Sequence, residues 1–387
     1  VKEAAAEILC VVGTRPEAIK MAPVVLALRR AGRLGVRILA TGQHTDMLRQ
    51  ALEDFGLVAD VDLDVMRQRQ SLDYITASVL EGTGRALDER RPEVLLVHGD
   101  TTTTFAASLA AFYRRIPVGH VEAGLRSGDL HLPFPEEMNR LLTDRISSFC
   151  FAPTEGARKN LLREGIPSER IWVTGNTVID ALRWTLGRGR PPKAAPLARI
   201  PREAPLLLVT AHRRESWGAP MARIASAVAR LREEAPRHWI VVPMHKNPAV
   251  REILMGGLQG LDRVILCEPL DYPDFVWAME RSELILSDSG GVQEEASSIR
   301  KPVLILRDVT ERPEALERGT GVLVGTEEGR ILSQARRVLF DPEFRARLIA
   351  RSDSPFGDGR AGERIEAVLA EALGVGGKEE AGSCPNE

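Results

Sequence analysis

Short runs of valine, isoleucine and leucine, each stopping at a small or polar residue and mostly followed by an amphipathic stretch, limit this chain more than any other feature. In the first part they are EILCVVG, VRILATG, VLLVHGD, IPVGHVE, FCFAPT and IWVTGN. A continuous apolar run marks a strand buried on both faces, and 3.6-residue periodicity between such runs marks helical crossovers. The alternation therefore predicts an α/β chain of βα units around a parallel sheet. It fails over GRGRPPKAAPLARIPREAP, where proline, glycine and arginine replace apolar periodicity, and resumes with PLLLVTAH, WIVVPMH, RVILCEP, ELILSDSGG, PVLILRD and TGVLVG. Two doubly wound, Rossmann-like domains follow, at 1–186 and 205–355, with a linker at 187–204. A last periodic segment, about 356–373, is expected to cross back to the first domain, and 374–387 reads as a disordered tail.

At 387 residues and 44% apolar content, the chain can give each domain its own core. Its 52 basic side chains against 54 acidic ones leave a formal charge of -2, which provides no general attraction to nucleic acid or anionic lipid. An anion site must be local. Four scattered cysteines without CxxC spacing suggest neither a zinc cluster nor a disulfide scaffold, and fit a reducing cytoplasm. The first residues do not read as a signal peptide, and no run approaches the ~20 apolar residues of a membrane span.

In doubly wound sheets ligands bind beyond the carboxyl ends of the strands, so the residues there carry the functional reading. Asp100 ends one run and precedes four threonines; it is either a helix cap or a carboxylate presented at the strand end. In VVGTRPEAIKMAP a strand passes through glycine into a helix, with Arg15 and Lys20 placed either for an anion or for solvent. Glu122 stands at another strand end, and Glu136 and Glu137 open a helix after two prolines, where acids also favour the helix dipole. In the second series His212, Arg213 and Arg214 leave one strand and His245 leaves another; each histidine is either structural or reactive, and the pair together suggests a site. Ser289, Gly290 and Gly291 allow backbone amides to approach a phosphate at a helix start, and Glu294 or Glu295 one turn on can accept from ribose hydroxyls. Arg312 marks one more helix entrance, as a surface charge or a phosphate contact.

Taken in order, GTRPEAIKMAP, VHGDTTTT, GHVEAGLRSGD, PFPEEMNR, TGNTVIDAL, HRRESWG, DSGGVQEEA and TERPEAL resemble the bacterial non-hydrolysing UDP-N-acetylglucosamine 2-epimerases, over nearly the whole chain to about residue 372. The resemblance implies a GT-B fold, two Rossmann-like domains facing across a cleft, with UDP held mainly by the second. It implies interconversion of UDP-GlcNAc and UDP-ManNAc for surface polysaccharide. By the same similarity Ser289, Gly290, Gly291 and Glu295 bind the nucleotide, Arg312, Arg15 and Lys20 lie near the phosphates, and Phe275 lies near the uracil. Asp100, Glu122, Glu136 and His212 surround the sugar, with Arg213 and His245 among the substrate contacts. Gln43 and Arg69 match a second, activating UDP-GlcNAc site of some members, with a helix start and a solvated loop as the plainer reading. A homodimer is the usual state in the family.

The C2 proton of the sugar has no adjacent carbonyl, so direct abstraction leaves an unstabilised carbanion. Breaking the C1 to phosphate bond with proton removal avoids this and gives UDP and 2-acetamidoglucal. An NAD route through C3 oxidation needs a GxGxxG turn after a strand, which the chain lacks, and its histidines lack metal-ligand spacing; neither cofactor nor metal is expected. Three alternatives remain: a GT-B glycosyltransferase, a hydrolysing epimerase, and a silent UDP-sugar sensor.

Overall fold

The apolar runs form two parallel sheets in the computed structural model, which describes residues 6–42, 45–65, 67, 70–351 and 353–375. The first contains β1 (Glu7–Val12), β2 (Gly35–Ala40), β3 (Val61–Asp62), β4 (Val94–His98), β5 (Val118–Val121), β6 (Phe149–Ala152) and β7 (Ile171–Val173). Their order is β3-β2-β1-β4-β5-β6-β7, so the winding reverses between β1 and β4. The second contains β8 (Leu206–Thr210), β9 (Trp239–Pro243), β10 (Val264–Cys267), β11 (Ser282–Ser287), β12 (Val303–Ile305) and β13 (Gly321–Leu323), ordered β10-β9-β8-β11-β12-β13 with its reversal between β8 and β11. Such reversals separate the loops that leave adjacent strands and open room for a ligand. β3 has no counterpart among the apolar runs: it is a two-residue edge strand, too short and too polar to show a pattern.

Each sheet is buried by helices on its faces. In the first unit Leu9, Val11, Leu95 and Val97 pack with Ala106, Ala107, Ala110 and Ala111, whose small side chains bring the helix Thr102–Tyr113 close to the strands. In the second, Leu207, Val209, Leu284 and Leu286 pack with Ile224, Val228 and Leu231 of the helix Ala219–Glu234.

Contacts divide the chain into one unit of Val1–Thr177 with Arg360–Glu387 and another of Val178–Gly359, whereas the sequence reading set its boundaries at 186 and about 356. The proline-rich stretch is also less open than a linker composition suggests. The amides of Lys193 and Ala194 donate to the buried Asp274 carboxylate at 3.0 and 2.6 Å, and Leu197 is buried. The last helix, Ala361–Ala372, packs on the helix Arg15–Ala31 of the first unit. There Arg33 donates to both oxygens of Glu366 at 3.0 and 2.5 Å, and a Cβ on Gly362 would stand 2.8 Å from the Pro23 carbonyl oxygen. The expected tail lies outside the described residues from 376 onward.

Candidate active site

In the first unit the candidate acids leave neighbouring strands, Asp100 after β4 and Glu122 after β5. Glu122 adopts φ 71°, a left-handed conformation that costs a non-glycine residue energy and persists only where its surroundings impose it. Those surroundings are specific. Its amide donates to the Phe151 carbonyl at 3.1 Å, and its carboxylate accepts from Lys20 Nζ and, at 2.7 Å, from Asn176 Nδ2. His98 Nε2 is 3.8 Å from the same carboxylate oxygen. Burial pushes the His98 ring down to about 3, against the opposing pull of Glu122, so the imidazole is neutral.

The Asp100 loop is held from three sides. Arg140 donates to its carboxylate at 2.5 Å, Asn139 donates to its carbonyl at 2.9 Å, and His120 Nε2 meets the Gly99 carbonyl at 2.7 Å. His120 is itself fixed by Asp144, 2.6 Å from Nδ1, and Asp144 also accepts from Arg126 at 2.7 Å. Burial opposes the Asp144 charge, but His120 and Arg126 outweigh it and hold the carboxyl below the usual range. Asn139 and Arg140 belong to the helix Glu136–Ile146, so the same element that begins with Glu136 locks Asp100. Pro135 provides no capping side chain there; Glu137 turns back and accepts from the Ser127 amide at 3.1 Å.

The four threonines have a largely structural answer. Glu17 is 3% exposed and forms a capping box with Thr14 at the start of the helix Arg15–Ala31. One of its oxygens takes the Gly13 and Thr14 amides at 2.7 and 2.6 Å; the other takes the Thr101 and Thr104 hydroxyls at 2.5 and 3.0 Å. Thr101 caps the helix Thr102–Tyr113, and Asp100 is therefore not its cap. Burial raises the Glu17 carboxyl, and these four hydrogen bonds counter it. Arg15 occupies the first turn of the same helix as Lys20, which the structure joins to Glu122.

In the second unit His212 follows β8 and His245 follows β9; their rings stack at 6.1 Å between centroids, 18° from parallel. Burial and the neighbouring His212 lower His245 from its usual range. Ser289 precedes the helix Gly290–Ser298 without a capping side-chain bond. A Cβ on Gly290 would stand 3.3 Å from the Arg312 guanidinium carbon, so the missing side chain lets that cation approach the helix start. Arg312 donates to Glu294 at 2.7 Å, whereas Glu295 accepts from the Tyr272 hydroxyl at 2.7 Å. That second bond ties the glycine-rich helix to the helix Tyr272–Arg281, which carries Phe275. Glu311 collects Arg307 at 2.8 Å, Arg213 at 3.7 Å and Arg312 at 3.9 Å. Burial alone would raise Glu311, but these three cations bring it down to about 2. The cluster keeps guanidinium groups together beside the glycine pair, as an anion site requires.

The sequence reading singled out the acids but neither their anchors, Arg140 and Asn176, nor Glu17, which holds the Thr101 and Thr104 hydroxyls. Glu17 carries the readable Thr-x-x-Glu capping signal. Arg140 and Asn176 act through contacts 40 and 54 residues away in sequence, for which no local pattern exists. Gln43 and Arg69 lie outside the described residues.

A family model described as UDP-N-acetylglucosamine 2-epimerase matches residues 26–370. The Yersinia pestis UDP-N-acetylglucosamine 2-epimerase is 51% identical over 94% of this chain and 98% of its own length. The Neisseria meningitidis UDP-GlcNAc 2-epimerase, solved with UDP-GlcNAc bound, is 45% identical with a TM-score of 0.88, covering 94% of this chain and 100% of that one. A Methanocaldococcus jannaschii UDP-GlcNAc 2-epimerase, solved with UDP-GlcNAc and UDP, is 34% identical with a TM-score of 0.81, over 94% and 99%. These neighbours share the GT-B-like pair of parallel-sheet domains, and the chain belongs to the UDP-N-acetylglucosamine 2-epimerase family.

Proposed function

We propose that this chain interconverts UDP-GlcNAc and UDP-ManNAc without net hydrolysis, by eliminating UDP and adding it back. The observation that carries the proposal is the pair of anchored carboxylates, Asp100 clamped by Arg140 and Glu122 held at φ 71° by Lys20 and Asn176. The relatives solved with UDP-GlcNAc and UDP support the substrate class.

In the elimination the C1–O bond breaks and its electron pair leaves on the β-phosphate oxygen of UDP. A carboxylate takes the C2 proton, and the C–H pair becomes the C1=C2 bond of 2-acetamidoglucal. Reversal delivers a proton to the opposite face of C2 while the phosphate oxygen re-forms its bond to C1. Opposite faces call for separate proton-handling groups, and we assign Asp100 and Glu122 to them, with Glu136 as the further acid. His212, Arg213, Arg312, Arg15 and Lys20, with the helix start at Ser289, Gly290 and Gly291, stabilise the departing diphosphate. Glu295 takes the ribose hydroxyls, His245 lies among the substrate contacts and Phe275 lies against the uracil. The UDP-ManNAc formed is a donor for surface polysaccharide, which places the enzyme in the cytoplasm with its nucleotide-sugar pool.

Proton NMR of UDP-GlcNAc with the purified protein in deuterated water tests this reading. UDP-ManNAc carrying deuterium at C2 is expected, with exchange reduced at least ~100-fold in Asp100→Asn and Glu122→Gln. Free ManNAc with UDP would make the enzyme a hydrolase, and unchanged substrate without exchange would favour a transferase or a sensor. The same assay run from UDP-ManNAc tests activation at Gln43 and Arg69: a rate that ignores added UDP-GlcNAc removes that assignment. We also assign a homodimer, supported by Phe112, Tyr113 and Leu142, which are 53%, 65% and 43% exposed on packed neighbouring helices. A monomer mass by sedimentation at assay concentration would refute it.

A further inference from the structure

Asp288, the residue before Ser289, is fully buried at the end of β11. Its Oδ2 accepts from the His212 and Arg213 amides at 2.8 and 2.9 Å and from the Ser216 hydroxyl at 3.2 Å. That set of donors fixes the turn leaving β8, which Trp217 Nε1 closes by donating to the His212 carbonyl at 3.2 Å. Oδ1 is buried without a hydrogen-bond partner and faces His212 Nδ1 at an ion-pair distance of 3.3 Å. The other ring against His212 is His245, stacked upon it, while Arg213 is drawn aside to Glu311 at 3.7 Å. One carboxylate thus sets the backbone of His212 with one oxygen and faces its ring with the other.

We propose that Asp288 is a positioning residue that fixes His212 in the tautomer bearing the proton on Nδ1, leaving Nε2 as the nitrogen that serves the substrate. A carboxylate oxygen only accepts, so it selects Nδ1–H in the neutral ring and offsets the charge of the imidazolium. Protonated, His212 then offers Nε2–H to the departing diphosphate; neutral, it offers a lone pair at the same atom. The role of Nε2 rests on the proposed reaction, but the hold of Asp288 on the ring does not.

Asp288→Asn separates the two oxygens. Its amide oxygen takes over the three donors at the Oδ2 position, which turns the NH2 group toward His212 Nδ1 and demands an acceptor there. Nitrogen-15 NMR of labelled histidine in the substrate-free protein is expected to show Nδ1–H in the wild type and Nε2–H in D288N. The variant is expected to lose ~100-fold or more in kcat with little change in KM, as a wrong tautomer does in other histidine-carboxylate pairs. In a His212→Asn background the same change should cost nothing further. An Nε2–H tautomer in the wild type overturns the proposal, as does an equal loss of kcat with His212 absent. The wild-type spectrum decides the question even if D288N does not fold. Because it needs no substrate, it is also independent of whether deuterium enters C2.

Discussion

Glu122 combines three features that seldom coincide: a left-handed backbone, a carboxylate 7% exposed, and a lysine held against it. Beside it, His98 lies almost without solvent contact and is neutral because charging it there means losing hydration. The sign of its effect on stability follows directly. Below its ordinary value of 6.5 the unfolded chain binds a proton that folded His98 refuses down to about 3, so stability falls as pH drops through that window. Replacing His98 with Gln is expected to flatten this part of the curve, while carboxylates elsewhere contribute equally to both proteins. Urea midpoints between pH 6.5 and 4 check it; parallel curves for the two proteins would refute it.

Among the elements, the loop from β1 into the helix Arg15–Ala31 shows why a motif is longer than its reactive residues. Gly13 passes so close to the threonines that a Cβ would stand 2.8 Å from both Thr103 Cβ and Thr41 Oγ1. The Thr41 and Thr103 hydroxyl oxygens are 3.3 Å apart, and both side chains are buried. Gly13→Ala is expected to lower stability by ~1–3 kcal/mol through overpacking, and an unchanged urea midpoint would contradict the contact. The sheets, their parallel direction and the helices between them were legible in the sequence because burial on both faces leaves uninterrupted apolar runs. β3 was not, since Val61–Asp62 is too brief for any periodicity. Asp100 and Glu122 were visible as acids at strand ends. The choice between cap and presented carboxylate at Asp100 was not, because it turns on Glu17 reaching Thr101 and Thr104 from 84 and 87 residues away.

For the molecule as a whole, the helix Ala361–Ala372 completes the first unit from the far end of the described chain. Ile365 and Leu369 are fully buried, and a Cβ on Gly362 would stand within 3.3 Å of the backbone of Pro23 and Val24. Gly362→Ala sets two effects against each other: alanine favours a helix by ~1 kcal/mol over glycine, while a Cβ 2.8 Å from a carbonyl oxygen must push two helices apart. Backbone cannot yield as a flexible side chain does, so the steric cost wins. The expected outcome is faster amide hydrogen exchange throughout the first unit, with exchange in Val178–Gly359 unchanged. Equal acceleration in both units would show instead that they unfold together.

The second unit is therefore an insertion, 178–359, within a first unit whose own chain is discontinuous. On the ribosome, residues 6–177 emerge with the surface of the Arg15–Ala31 helix uncovered, and the segment that covers it is translated only after the whole insertion. The insertion is fully translated before that segment appears, whereas its host is not. A premature stop just before Ala361, which would spare every candidate catalytic residue, thus leaves the acid-bearing unit without its closing helix.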